Sequence, residues 1–388
     1  MAHSGWRRLG LFWVVVIVVL GVGAVTLQFL GPPSRTDGGR ASALAPAPSS
    51  SGAPASPTSS GQAPPDGAGS QPQGSRTQGA ATQVTGAMPA AFLPSPGRDS
   101  PGPIAGPDPA LLEPAKSGGG AVLPRMDMSG RGPMQAYAGG FDRTTRRPRV
   151  GLVLAGIGMN EADSLEAIRN LPGGVTLAVS PYAQRLSWQL EAARIGGHEY
   201  LLSLPLEPQG FPQNDAGDHA LMTGGDPAQN VARLDWALSR LAGYAGVTNA
   251  LGVLRGERFS AASDLMAPVL DELMHRGLFF VEARPGVAPW LGIWSADVDL
   301  IVDEPPDRAS IDAKLAQLEA LARDRGAALG LAGVPRPVTV DRLVAWTNSL
   351  QAKGLVLAPT SALVQWHPKQ TPTTASARAP TATAGARP

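Results

Sequence analysis

The chain of 388 residues contains no cysteine. Disulfides, thiolate nucleophiles and cysteine-ligated zinc are therefore excluded. Charge of one sign is lacking too. The 32 Lys and Arg stand against 31 Asp and Glu, for a net charge of +1, which gives no general case for nucleic acid or for an acidic partner. Residues 31–148 are poor in aromatic and β-branched residues and rich in Pro, Gly, Ser and Ala, as in "ALAPAPSSSGAPASPTSSGQAPPDGAGSQPQG". Such a segment cannot bury enough apolar area to offset its ordering entropy, so it reads as a disordered tether. The tail 368–388 has the same character.

One long hydrophobic run is present. Leu9 to Leu30 carries no charged residue, follows Arg7 and Arg8, and is long enough at 1.5 Å per residue to cross a bilayer core of about 30 Å. The basic flank keeps residues 1–8 cytoplasmic and predicts a single-pass anchor over 9–30 in the inner membrane, with the rest of the chain periplasmic. A cleaved signal peptide is the rival reading. It is disfavoured by the length of the run and the absence of a clean A-x-A site.

From Arg149 onward the pattern changes to strands alternating with amphipathic helices. Strands are expected at Val150–Leu154, Val175–Val179, Glu199–Leu204, Val247–Leu254, Leu278–Glu282, Val298–Val302, Ala327–Leu331 and Leu355–Ala358. The helices between them are expected to start at caps such as Asn160, Asp226, Ser263 and Ser310, and to stop at Gly196, Gly277 and Gly326. This alternation predicts one α/β domain over 149–367, an irregular (β/α)7–8 barrel with parallel strands and right-handed crossovers. Functional groups then belong at the C-terminal strand ends.

Six segments, in order, resemble the divergent polysaccharide deacetylases. They are "VLAGIG" (153–158), "LAVSPYA", "GGHEYLLSLPLEP" (196–208), "GVTNALG" (246–252), "FFVEAR" and "GLAGVPRP". The resemblance implies a carbohydrate-esterase-like barrel in which a metal held by Asp and His polarises an acetyl carbonyl and activates water, with a second carboxylate as base. At the positions where the family keeps those groups, this chain has Ala155 and Gly156 for the aspartate pair. Ser203, Ala250 and Val334 stand for the histidines, and Glu282 for a later Asp. Ala, Gly and Val cannot bind a metal or move a proton. The expectation is a scaffold without metal-dependent catalysis and without a cofactor, which binds peptidoglycan or another acetylated glycan, or an envelope protein. Ser203, Asn249 and Arg336 are the candidate ligand contacts, Tyr182, Trp188 and Phe211 candidate aromatics for a sugar, and Trp290 and Trp294 a candidate stacking platform in the "APWLGIWSADVD" loop.

A second expectation is an active carbohydrate deacetylase. Its site would be rebuilt around Glu282, Glu207 and His198 with Asp303, holding a divalent metal such as zinc. A third is a structural envelope protein. Within the family match His198 follows two glycines at a strand start, a position that favours a structural role. "HEYLL" is not H-E-x-x-H, since Leu202 takes the second histidine's place. Ser203 lacks a nearby His and Asp pattern, and the Gly156, Gly158 pair lacks the third glycine of a dinucleotide turn.

Overall fold

The computed structural model describes residues 100–369 apart from Ser117. The anchor expected over 9–30, the tether before residue 100 and the tail beyond 369 lie outside them. Among the described residues no helix is long and apolar enough to cross a membrane.

After a 3-10 turn at Pro109–Leu111, the described residues form a two-stranded antiparallel sheet, β1 (Leu112–Pro114) and β2 (Val122–Pro124), and a short helix α1 (Pro133–Tyr137). The main sheet begins with β3 (Arg149–Ile157). Then follow α2 (Glu161–Asn170), β4 (Thr176–Val179), α3 (Ser187–Ile195), β5 (Tyr200–Ser203), α4 (Pro227–Leu238) and β6 (Gly246–Thr248). The second half has α5 (Glu257–Ala261), α6 (Ser263–His275), β7 (Phe279–Glu282), β8 (Ile293–Asp297), β9 (Leu300–Ile301) and α7 (Arg308–Arg325). It ends with β10 (Ala327–Ala332), α8 (Pro337–Ser349), β11 (Val356–Leu357) and β12 (Gln365–His367).

The sheet order is β12-β8-β7-β6-β5-β4-β3-β10-β9, parallel except for β12, with β11 beside the start of β3. The sheet curls. One stretch of chain reaches strands near both edges: Val298 N donates to Glu282 O at the end of β7, and Asp299 N donates to Leu329 O in β10. The expected barrel is thus a curled, parallel-rich sheet with its last crossovers reduced. Of the segment expected as one strand, Val298–Val302, only Leu300–Ile301 is strand, as β9, and β8 lies wholly before it. No helix separates β7 from β8.

Local signals set the helix starts. The side chain of Asn160 accepts from Asp163 N, and that of Asp226 accepts from Ala228 N with Pro227 in the first turn. Two expected caps move. Asp307, not Ser310, caps α7, because its carboxylate accepts from Ser310 N, and Ala262 precedes α6 with no side-chain cap.

Side chains alternate across the pleat. Leu152, Leu154, Leu177, Leu202, Val247 and Phe280 face the helices in the larger core. Val153, Ala155, Ala178, Leu201, Phe279, Val281, Leu329 and Leu331 fill the interior of the curl.

The tether expected over 31–148 ends too late. Ile104, Leu111, Met134 and Tyr137 are buried in that same interior cluster, and Phe141 is buried against Ala358 and Ala362. Ile104 N donates to Arg194 O, and Met134 N donates to Gly277 O just before β7, so this segment seals the underside of the curl. Its apolar residues are too sparse to show a period, yet each fills a gap at the strand starts. Leu111 has no exposed surface. Leu111→Ala is expected to cost about 2–5 kcal/mol in urea unfolding, whereas a truly disordered position would change nothing.

Candidate functional site

The strand ends converge at the top of the curl, where the family's ligand positions fall. Ala155 and Ala250 are fully buried in one apolar cluster. Gly156 sits at φ 73°, and a Cβ there would stand 3.1 Å from Gly333 O. Ser203 is fully buried, and its Oγ has no hydrogen-bond partner. Among the described residues no three of His, Asp and Glu come together as a metal could use them. Divalent metals need such O and N donors, so the residues present at the family's metal position do not fit one.

The carboxylates are engaged elsewhere. Strand alternation places Glu282 with Phe280 on the helix side of β7, away from the interior occupied by Val281 and Ala283. Its Oε1 accepts from Asn249 Nδ2 at 2.8 Å, from Arg284 Nε at 2.8 Å and from Arg284 N at 3.0 Å. Its Oε2 accepts from Arg284 Nη2 at 2.8 Å and Trp290 Nε1 at 2.9 Å. Burial pushes its pKa up, but the bonds from Arg284 and Asn249, the Arg284 charge and the Trp290 bond outweigh it, and the pKa falls below the usual value. Asn249 joins the end of β6 to the end of β7: Oδ1 accepts from Ala283 N at 2.8 Å, and Nδ2 also donates to Arg255 O at 3.0 Å.

Glu207 is 2 % exposed and accepts from Thr223 N and Oγ1 at 2.6 and 2.7 Å, with Arg258 Nη1 at 2.8 Å. His198 is fully buried before β5, with Nδ1 2.8 Å from Val175 O and Nε2 3.2 Å from Ile168 O. It therefore lies at the underside, and burial lowers its pKa. Asp303 accepts from Gly333 N at 2.9 Å and lies 3.5 Å from Arg336 Nη1; burial raises its pKa. The expected rebuilt site is thereby corrected. Glu282, Glu207 and His198 occupy three separate bonding networks, one of them at the opposite end of the strands.

Asp297 was not singled out in the sequence. It is the register neighbour of Glu282, and its Oδ1 is buried without a partner. Burial first, then the negative charges of Glu282 and Asp299, raise its pKa to about 6. A raised carboxyl pKa means that the native state holds the proton more tightly than the unfolded chain. The group's contribution to stability is then greatest below the ordinary carboxylate pKa and declines as pH rises through about 6. Asp297→Asn is expected to be more stable than the wild type at pH 7 and to lose that advantage toward pH 4, as read by urea denaturation at both pH values.

What stands open at the top is a cleft of about 840 Å³. Gly158, Met159 and Glu161 after β3, and Ser180, Tyr182 and Arg185 after β4, form part of its wall. Asn214 and Asp215 after β5, Leu251, Val253 and Leu254 after β6, and Val334 with Arg336 after β10 complete it. Its lining mixes apolar side chains such as Met159, Leu251 and Val253 with polar ones such as Glu161, Asn214 and Arg336. Tyr182 is fixed by packing: its ring lies 5.2 Å from that of Trp236, on which His219 stacks at 3.7 Å, and its hydroxyl accepts from His219 N. Of the ligand contacts expected from sequence, Arg336 and Tyr182 line this cleft, and Ser203, Asn249, Trp188, Phe211, Trp290 and Trp294 do not.

The tryptophan platform is also corrected. Trp294 lies near the N-terminal end of β8, in the interior cluster, and packs 5.8 Å from Trp366 of β12. Trp290 spends its indole N–H on Glu282. Both serve packing away from the cleft. The longest continuous run of cleft residues that sequence reasoning missed is in "QGFPQNDAGDH" (209–219). The one signal for them was the long polar stretch between the strand end at Leu204 and the helix cap at Asp226.

Residues 152–364 match the model of a family described as divergent polysaccharide deacetylase. An uncharacterized protein from Agrobacterium tumefaciens of known crystal structure is 32 % identical with a TM-score of 0.59, over 63 % of this chain and 100 % of that one. The catalytic domain of a peptidoglycan N-acetylglucosamine deacetylase from Eubacterium rectale is 12 % identical with a TM-score of 0.37, over 58 % of this chain and 94 % of that one. Among curated proteins no match is found. The family match spans more than half of the chain, and the six motifs fall inside it in order: the chain belongs to the divergent polysaccharide deacetylases.

Proposed function

We propose that this protein is a deacetylase-like binding protein of the cell envelope, which holds an acetylated glycan in the cleft at the strand ends without metal-dependent hydrolysis. One observation carries the reading. A cleft of about 840 Å³ remains open where the family works, while the positions beneath it are Ala155, Gly156, Ser203 and Ala250. The apolar part of its lining suits a sugar ring and its acetyl methyl, and the polar part suits hydroxyl groups. The basic flank and uncharged run of residues 7–30 support an inner-membrane anchor with the domain on the outer side.

The test is retention of the full chain on insoluble peptidoglycan and titration with N-acetylglucosamine hexamer. Val253 is 43 % exposed on the cleft wall, so Val253→Trp fills the space without disturbing the core. It is expected to weaken the hexamer by about tenfold at unchanged melting temperature. No binding by the wild type sinks the glycan reading. Chelator-sensitive acetate release would favour the enzyme instead.

A further inference from the structure

Beside the cleft lies a second groove of about 570 Å³, along α3 and the end of α4. The two share Ala183, Gln184 and Arg185, so they are continuous over that turn. The groove is lined by Arg185, Arg194 and Arg240 and by no Asp or Glu. None of the three arginines forms an ion pair among the described residues. By contrast Arg284 and Arg336, elsewhere at the strand ends, each face a carboxylate.

The guanidinium groups are held but not saturated. Arg194 Nη1 donates to Tyr200 Oη at 3.2 Å. Arg240 Nε donates to Pro181 O at 3.2 Å, and its guanidinium carbon stands 5.3 Å from the Trp236 ring centre. Each guanidinium has five N–H donors, so most remain to be used. Arg185, at the junction, has φ 53° and is the only non-glycine residue in the left-handed region among the described residues. Strained backbone of this kind concentrates at ligand clamps. Like charges gathered in a groove without acids raise the local potential and favour an anion.

We propose that this groove is an anion-binding extension of the cleft, so that the ligand is a sugar chain bearing carboxylate or phosphate groups, with Arg185, Arg194 and Arg240 holding the negative oxygens. The proposal rests on the glycan reading of the cleft and narrows it from any acetylated sugar to an acidic one. A neutral polymer would leave the arginines facing only water. Guanidinium groups match carboxylate and phosphate in pairs of parallel bonds.

The test titrates the full chain with two probes of equal length, N-acetylglucosamine hexamer and a hexamer alternating N-acetylglucosamine with glucuronate. The acidic hexamer is expected to bind about tenfold tighter at low salt. High salt should shrink the difference, and inorganic phosphate should compete with the acidic probe alone. Arg194→Gln combined with Arg240→Gln should abolish the advantage and leave the neutral hexamer unchanged, since neither residue lines the cleft. Arg194→Lys with Arg240→Lys keeps the charge and should restore most of the difference, which separates lost charge from lost folding. Equal affinity for the two probes, or an advantage that survives in the Gln pair, overturns the proposal and leaves the glycan reading standing. An acidic hexamer held through the arginines, with Val253→Trp affecting neither probe, upholds the groove and overturns the cleft reading. No binding of either probe overturns both.

Discussion

Glu282→Ala is expected to cost the domain about 3–5 kcal/mol of stability, the largest loss from any single truncation of a polar residue here. The reason is what would remain. Glu282 is fully buried and accepts bonds from Asn249, Arg284 and Trp290. Its removal leaves a guanidinium that is only 15 % exposed without its counter-charge. It also orphans the indole N–H of Trp290 and one bond of the Asn249 amide, and unmade bonds of buried donors cost more than made ones contribute. Glu282→Gln keeps the shape and loses the charge, so it should fall between the wild type and Glu282→Ala. Urea unfolding of the three proteins checks the order. A loss below about 1 kcal/mol for Glu282→Ala would be typical of an exposed pair and would mean that the carboxylate is not the tie described.

Restoring the family's acids should fail in a second, equally large way. Ala155→Asp places a carboxylate inside the apolar cluster that holds Val153, Ala178 and Ala250. An uncompensated charge at such a site costs about 3–5 kcal/mol, or the group stays protonated. Gly156→Asp adds a side chain at φ 73° whose Cβ would lie 3.1 Å from Gly333 O. The left-handed conformation alone costs a non-glycine residue about 1–2 kcal/mol. The double variant is expected to unfold at lower urea, to take up no stoichiometric zinc by elemental analysis, and to release no acetate from N-acetylglucosamine oligomers. Acetate release would show that the remaining groups at the strand ends still complete a site, and would overturn the binding-protein reading.

Much of the fold was legible because its signals are local. Asn160 and Asp226 cap helices through bonds that span two or three residues, and Gly326 ends α7 at φ 80° where a side chain would be strained. Strand β10 reads correctly because all but its first residue is buried, which produces a continuous apolar run. The underside segment was not legible. Ile104, Leu111, Met134 and Tyr137 lie in a Pro- and Gly-rich stretch with no period, and what makes them core is the shape of the gap they fill. The "APWLGIWSADVD" stretch was misleading for a similar reason. Two tryptophans close together look like a platform, but Ile293–Asp297 is a strand, so Trp294 is carried into the interior while Trp290 stays on the helix side.

By itself the sequence determined that no cysteine chemistry is available, which family this is, and that Ala155, Gly156, Ser203, Ala250 and Val334 stand where the resemblance puts an aspartate pair and three histidines. Those are statements about residue identity at ordered motif positions, and no packing can change them. Only the tertiary structure decided the fate of the groups that remained. Glu282 matches the position of a family Asp, yet its partners are Asn249, 33 residues away, and the indole of Trp290. Likewise Arg194 comes to the groove from α3 and Arg240 from the turn after α4. A strand's alternation says that neighbouring side chains point to opposite faces, but not which face is covered. That phase is set by the layers packed on either side, through contacts between residues far apart in the chain.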